Sequence, residues 1–179
     1  MYALQPQPHS TPDRLVTTHL EMKSPQQLRA GFAETPGVEV RVLTSVDVEF
    51  YRALYRSVGE QWNWRDRLLM SDEELAEALA KAEVNVLYVD GEIAGYVELA
   101  DQHDGSTEVA YFGLREAFFG RGLGKHLLSY GVKKAWDKGA NRVWVHTCNL
   151  DGPQALKNYM ARGFEVVHVD EEPMPDRYK

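Results

Sequence analysis

The chain has 179 residues, with 27 acidic against 20 basic side chains and a net charge of −7. That length suits one folded domain with its own core, and the acidic balance excludes a broad nucleic-acid or anionic-membrane surface, which needs a basic patch. Cys148 is the only cysteine, so an intrachain disulfide is excluded and a reducing compartment is expected.

Residues 1–14 are rich in Pro, Gln, Ser and Thr and read as a disordered tail ahead of a single domain over 15–179. The tail lacks the basic and apolar regions of a signal peptide, and no apolar run in the chain nears membrane-spanning length, so a cytoplasmic protein without membrane contact is expected. Val16, Thr18, Leu20 and Met22 alternate with polar neighbours and predict a strand over 15–22, inside an N-terminal extension of 15–37. Val38, Val40 and Val42 predict the next strand. Val46, Phe50, Ala53, Leu54 and Val58 share one helical face over 45–58, and a polar, aromatic connection over 59–67 follows. Ser71 with Glu74 forms a capping box ahead of Leu75, Ala78, Leu79 and Ala82. Strands over 84–89 and 93–100 flank Asp90-Gly91, a strong hairpin turn signal. A strand over 108–114, a helix over 125–138, a strand over 142–147, a helix over 153–161 and a strand over 164–169 complete the order. This order predicts an α/β fold, a mixed sheet with helices on both faces.

Between the strand at 108–114 and the helix at 125–138 runs Phe119-Gly120-Arg121-Gly122-Leu123-Gly124-Lys125. Glycines at this density free backbone N–H groups to point one way, and the helix adds its positive dipole end, an arrangement that binds phosphate or pyrophosphate. A nucleotide-hydrolysing loop would end in Gly-Lys-Ser/Thr, but Lys125 is followed by His126. A dinucleotide fingerprint would need a third glycine where Lys125 stands.

The loop resembles the acyl-CoA loop of the GNAT N-acetyltransferase superfamily, Gln/Arg-x-x-Gly-x-Gly/Ala, with Gly122 and Gly124 at its glycine positions and Phe119 in place of the Gln or Arg. Further on, Ala155, Tyr159, Gly163 and Phe164 match the family's last helix, Asn-x-x-Ala-x-x-x-Tyr-x-x-x-Gly-Phe, in register, with Gly152 at the Asn position. The resemblance covers about residues 38 to 170. It implies the GNAT fold, a mostly antiparallel mixed sheet of six to seven strands. It also implies acetyl-CoA as acyl donor, bound by the backbone of Gly120, Arg121, Gly122, Leu123, Gly124 and Lys125, with Gly152 and Tyr159 nearby, and an acetyl group transferred to a primary amine of a small molecule or peptide by direct attack in a ternary complex.

Three chemical needs then sort the residues. A departing thiolate is helped by a proton, and an unperturbed phenol lies only about 1.5 pH units above a thiol. Spacing alone makes Tyr159 a core aromatic; its register with Gly163-Phe164 assigns it the family's general-acid role. The developing oxyanion needs donors, which the resemblance places on the backbone of Phe112, Gly113 and Leu114, where Gly113 suits a bulge or a close approach. An amine must lose a proton, and Glu108, on the strand face of Phe112 by alternation, matches the glutamate of the histone-acetylating branch, with Glu98 as second choice. Either reads equally well as a solvated strand charge, and a water chain without a dedicated base remains an alternative. His146 reads as a packed strand histidine. For the acceptor, Trp62, Trp64 and Tyr51 can hold a cation over their rings, although packing also explains Tyr51 and Tyr55. No His, Cys or carboxylate grouping has metal-ligand spacing. Phe119 and Gly152, both departures from the pattern, keep open a second class, a non-catalytic acyl-CoA-binding regulatory domain, and a homodimer is compatible with either.

Overall fold

Strand β1 (Arg14–Met22) opens a seven-stranded sheet of order β2-β3-β4-β5-β6-β1-β7, in a computed structural model that describes residues 11–45 and 47–179. The remaining strands are β2 (Val38–Val42), β3 (Ala82–Val89), β4 (Glu92–Asp101), β5 (Thr107–Leu114), β6 (Val143–Cys148) and β7 (Glu165–Pro173). Helix α1 (Val48–Gly59) and helix α2 (Asp72–Ala80) lie between β2 and β3; α3 (Leu123–Asp137) joins β5 to β6, and α4 (Pro153–Ala161) joins β6 to β7. Every neighbouring pair is antiparallel except β5 and β6.

Local chemistry accounts for most element starts. The Asp47 carboxylate accepts the Phe50 N–H at 3.0 Å and caps α1. Val46, assigned to that helix face from sequence, and residues 1–10 of the expected tail lie outside the described residues. Ser71 and Glu74 exchange bonds in the expected capping box of α2. Ala82, assigned to the α2 face, instead begins β3, opposite Ala100. Asp90 and Gly91 both adopt positive φ, the primed turn that matches strand twist. Strand β7 runs past the expected residue 169 because β1 supplies partners as far as Arg14↔Pro173.

The sheet divides two cores. Leu127, Leu128, Val132 and Ala135 of α3, with Tyr159 of α4, pack against Leu99, Val109, Val143 and Val145 on one face. Tyr51, Leu54, Tyr55 and Val58 of α1, with Leu75 and Leu79 of α2, pack against Val84, Val86 and Tyr96 on the other. Glu98 lies in this second layer, fully buried, accepting 2.7 Å and 2.5 Å bonds from Arg67 Nη2 and the Tyr51 hydroxyl.

Two irregularities of β5 open space beside it. Its register against β4 shifts between Glu98↔Tyr111 and Leu99↔Val109, so Ala110 is an extra residue. Glu108 lies opposite Ala100 and Tyr111 opposite Glu98, two residues apart on β4, so the bulge puts Glu108 on the face of Tyr111 and not, as strict alternation predicts, on that of Phe112. The parallel pairing of β5 with β6 spans only Thr107↔Val143 and Glu108↔Trp144, after which the strands part. Beyond Glu108, the β6-facing backbone of β5 has no ladder partner.

Candidate active site

The gap between the parted strands opens into a cavity of about 990 Å³ that reaches from the 62–67 connection to the start of α3. Phe112, Gly113 and Leu114 of β5 form one wall, and His146, Thr147 and Cys148 of β6 another. Gly120, Gly122, Gly124 and Lys125 line the far end, and Gly152 and Tyr159 of the α4 segment line the side.

At the far end, Gly122 caps α3 with φ of 73°, a left-handed conformation that suits glycine, and open space surrounds the position a Cβ would take. The first intrahelical bond is His126 N–H to Gly122 C=O, so the N–H groups of Leu123, Gly124 and Lys125 lack helix acceptors. Asn158 Nδ2 donates to the Gly124 carbonyl at 3.2 Å, tying α4 to this first turn. The side chain of Leu123 is buried in the core, leaving only its backbone for a ligand. The Arg121 guanidinium lies 5.3 Å from the centre of the Phe118 ring, and Arg121 does not line the cavity.

Tyr159 is 5% exposed, with its ring against Phe112 and Phe164 at centroid distances of 5.9 Å. Burial first, and the Asp151 carboxylate second, push its phenol well above the ordinary value. Asp151 is itself held rigidly, accepting from Thr147 Oγ1 at 2.6 Å, from the Cys148 N–H at 3.1 Å and from Trp64 Nε1 at 3.2 Å.

Glu108 lines the cavity 3.5 Å from His146 Nδ1. Burial raises its carboxyl above the usual range, with Arg67 acting in the opposite sense. His146 is lowered by burial and by His19 beside it, so it is neutral near neutral pH. The parallel register accounts for their meeting: Glu108 pairs with Trp144, and His146, two residues on, shares that face. Alternation along β6 alone placed His146 in packing, because only pairing across β5 reveals its neighbour.

Two expected site residues lie elsewhere. Glu98 does not line the cavity; the Arg67 and Tyr51 bonds occupy its carboxylate, which corrects its place as second-choice base. Tyr51 is likewise fully buried among Tyr55, Tyr96 and Glu98, so it packs and does not face an acceptor. Gly113 has a packing cause as well: a Cβ there would meet Val58 Cγ1 at 2.6 Å, so glycine lets α1 approach β5, while the bulge sits at Ala110.

Trp62 and Trp64 do line the cavity, joined by Tyr55, Tyr111 and Tyr178. Trp62 lies over Gly152, where a Cβ would meet its ring at 2.9 Å. Tyr178 arrives from the end of the chain: its hydroxyl donates to both Asp66 oxygens at 3.1 Å, and Arg177 Nε donates to one at 2.9 Å. Nothing local to the sequence signals this clasp. Charges of both signs line the aromatic end, Asp66, Glu108 and Asp151 with Arg65 and Arg67, the last paired with Glu98, while Lys125 and Arg162 line the cavity near the start of α3. Among the described residues no group of three or more His, Cys, Asp or Glu side chains is arranged to hold a metal ion, and no helix is long and apolar enough to cross a membrane.

Comparison with known proteins agrees with this geometry. The model of the acetyltransferase (GNAT) family matches residues 48–164. Mycothiol acetyltransferase of Corynebacterium efficiens is 30% identical over 107 residues, 60% of this chain and 36% of that protein, so the chain spans about a third of that relative's length. Among solved structures, a GCN5-related N-acetyltransferase from Kribbella flavida superposes with a TM-score of 0.60 at 21% identity, over 84% of this chain and 54% of that one. Another from Sphaerobacter thermophilus gives 0.63 at 19%, over 91% and 52%. These structural likenesses establish the fold.

Proposed function

Because the chain belongs to the acetyltransferase (GNAT) family, we propose that it transfers an acetyl group from acetyl-CoA to a primary amine of a small molecule or peptide, by direct attack with both substrates bound. The observation that carries this reading is the placement of Glu108 and Tyr159 on one cavity whose other end is an uncapped helix start. Acetyl-CoA is the donor substrate: its pyrophosphate suits the free N–H groups of 123–125 and the adjoining glycine turns. At the aromatic end, the rings of Trp62 and Trp64, with Glu108 on the same cavity, suit a cationic amine.

Glu108 takes the ammonium proton, directly or through a water, and the free amine attacks the thioester carbonyl. Backbone N–H groups of Phe112 and Leu114, which alternate away from β4 on the strand that has lost its β6 partner, supply donors to the oxyanion. The carbon–sulfur bond then breaks, Tyr159 gives its proton to the thiolate, and the second proton of the attacking nitrogen passes through water to restore the Tyr159 hydroxyl. Cys148 takes no part: burial first, then Asp151, raise its thiol, which keeps it a poor nucleophile and favours direct transfer over an acylated enzyme.

Release of CoA thiol from acetyl-CoA with a panel of amines tests the reading. Turnover with at least one amine class is expected; donor binding without amine-dependent thiol release would favour the non-catalytic acyl-CoA-binding domain. On the best amine, Glu108→Gln should lower kcat/KM by about 10²–10⁴ and remove the acidic limb of the pH profile, since the amide cannot take a proton. An unchanged limb would mean that the amine arrives neutral or that water serves as base.

Donor binding has its own test. Gly124 lies within the first turn of α3, where a Cβ would have only van der Waals neighbours, the nearest Asn158 Nδ2 at 3.7 Å. Gly124→Leu should therefore fold and fill the cradle, abolishing acetyl-CoA binding in calorimetry. Retained affinity in a folded variant would move the phosphate site elsewhere.

A further inference from the structure

Arg162 stands at the C-cap of α4, lines the cavity, and has Nε and Nη1 buried without a hydrogen-bond partner among the described residues. Buried guanidinium nitrogens without partners are uncommon and call for a reason. An N-terminal strap holds them there: the Arg29 N–H donates to the Arg162 carbonyl at 2.8 Å, Gly31 N–H to Ser129 Oγ at 2.8 Å, and Ala33 N–H to His126 Nδ1 at 3.0 Å. A Cβ on Gly31 would stand 2.4 Å from Arg162 Nη1 and 3.2 Å from Lys125 Cβ, so the guanidinium and Lys125 converge beneath one point of the strap. Among the described residues neither Arg162 nor Lys125 has an ion-pair partner, in a chain whose net charge is −7.

We propose that Arg162, with Lys125, forms a second phosphate site that takes the ribose 3′-phosphate of the donor. The inference rests on the acetyl-CoA reading above. Helix α4 sets the order along the cavity: its start lies beside Trp62 and Trp64, Tyr159 is in its last turn, and Arg162 ends it against the first turn of α3. A donor with its thioester at Tyr159 and its pyrophosphate on 123–125 carries its nucleotide outward, toward the strap. The pyrophosphate already meets backbone donors there, while the Arg162 guanidinium, with Nε and Nη1 covered and only Nη2 outside the buried set, carries a charge that no anion among the described residues balances and that a phosphate oxygen at Nη2 would meet with a charge-assisted bond.

Calorimetric titration of the full chain with CoA and with 3′-dephospho-CoA tests this. The unaltered protein should bind CoA more tightly by about ten- to hundredfold, the range for hydrogen bonds to a charged group. Arg162→Ala should lower CoA affinity by that factor and leave dephospho-CoA unchanged, with Arg162→Lys intermediate. Lys125→Ala, at an exposed position, should show a smaller loss with the same selectivity and does not depend on the strap packing. Equal loss for both ligands, or no discrimination by the unaltered protein, would overturn the assignment. Failure of the unaltered protein to bind either ligand would instead overturn the acetyl-CoA reading on which it rests.

Discussion

Replacing Tyr159 by phenylalanine is expected to lower kcat by about 10²–10⁴ while leaving acetyl-CoA affinity nearly unchanged. The ring contacts with Phe112 and Phe164 survive the change, so the loss isolates the hydroxyl. Burial holds this phenol protonated across the working pH range. A thiolate expelled into the same cavity is destabilised by the same loss of water, which raises its basicity toward that of the phenol and makes the transfer feasible. Steady-state kinetics with the best amine, beside calorimetry with acetyl-CoA, measures both quantities. Near-normal turnover in Tyr159→Phe would mean that solvent protonates the thiolate.

Arg67→Met should cost about 3–5 kcal/mol of stability, because it leaves the fully buried Glu98 carboxylate without its cation. For a chain of this size that is a fall in melting temperature of about 6–20 °C. The pH dependence has a definite sign. Burial already raises the Glu98 carboxyl above its ordinary value despite Arg67 and Tyr51, and losing Arg67 raises it further. A group raised in the folded state favours folding while protonated and loses that contribution as pH rises, so the deficit should be smallest in acid and deepen toward neutrality. Adding Glu98→Gln to the Arg67→Met background should restore much of the loss, since an amide still accepts from the Tyr51 hydroxyl without carrying charge. Thermal unfolding of the two variants across pH checks both statements; an Arg67→Met protein as stable as the parent would show that the pair contributes little.

The legible parts of this protein were those encoded within a few residues. The capping box at Ser71 and Glu74, the Asp90-Gly91 turn, the glycine run before α3 and the register of Tyr159 with Gly163-Phe164 each depend on neighbours close in sequence, and all the corresponding elements are present. What alternation could not foresee was decided across strands. The extra residue at Ala110 exists only relative to β4, and it moves Glu108 to the face of Tyr111. Glu98 and Tyr51 look like available site residues until Arg67, from a loop 31 residues before Glu98, closes on the carboxylate. His146 gains its partner through a parallel pairing that lasts two residues.

The clasp between Asp66 and the last residues of the chain has a consequence for folding order. Arg177 and Asp66 are 111 residues apart, so their contact requires a loop closure far longer than those of the β3–β4 hairpin or the turns of α1 and α2, and it is repaid only after β7 has paired with β1. During N-to-C-terminal synthesis the glycine loop and α3 emerge well before Tyr178. The donor cradle is therefore expected to form on a chain whose aromatic wall is still open, and competence to enclose an acceptor to follow once Arg177 and Tyr178 have docked on Asp66.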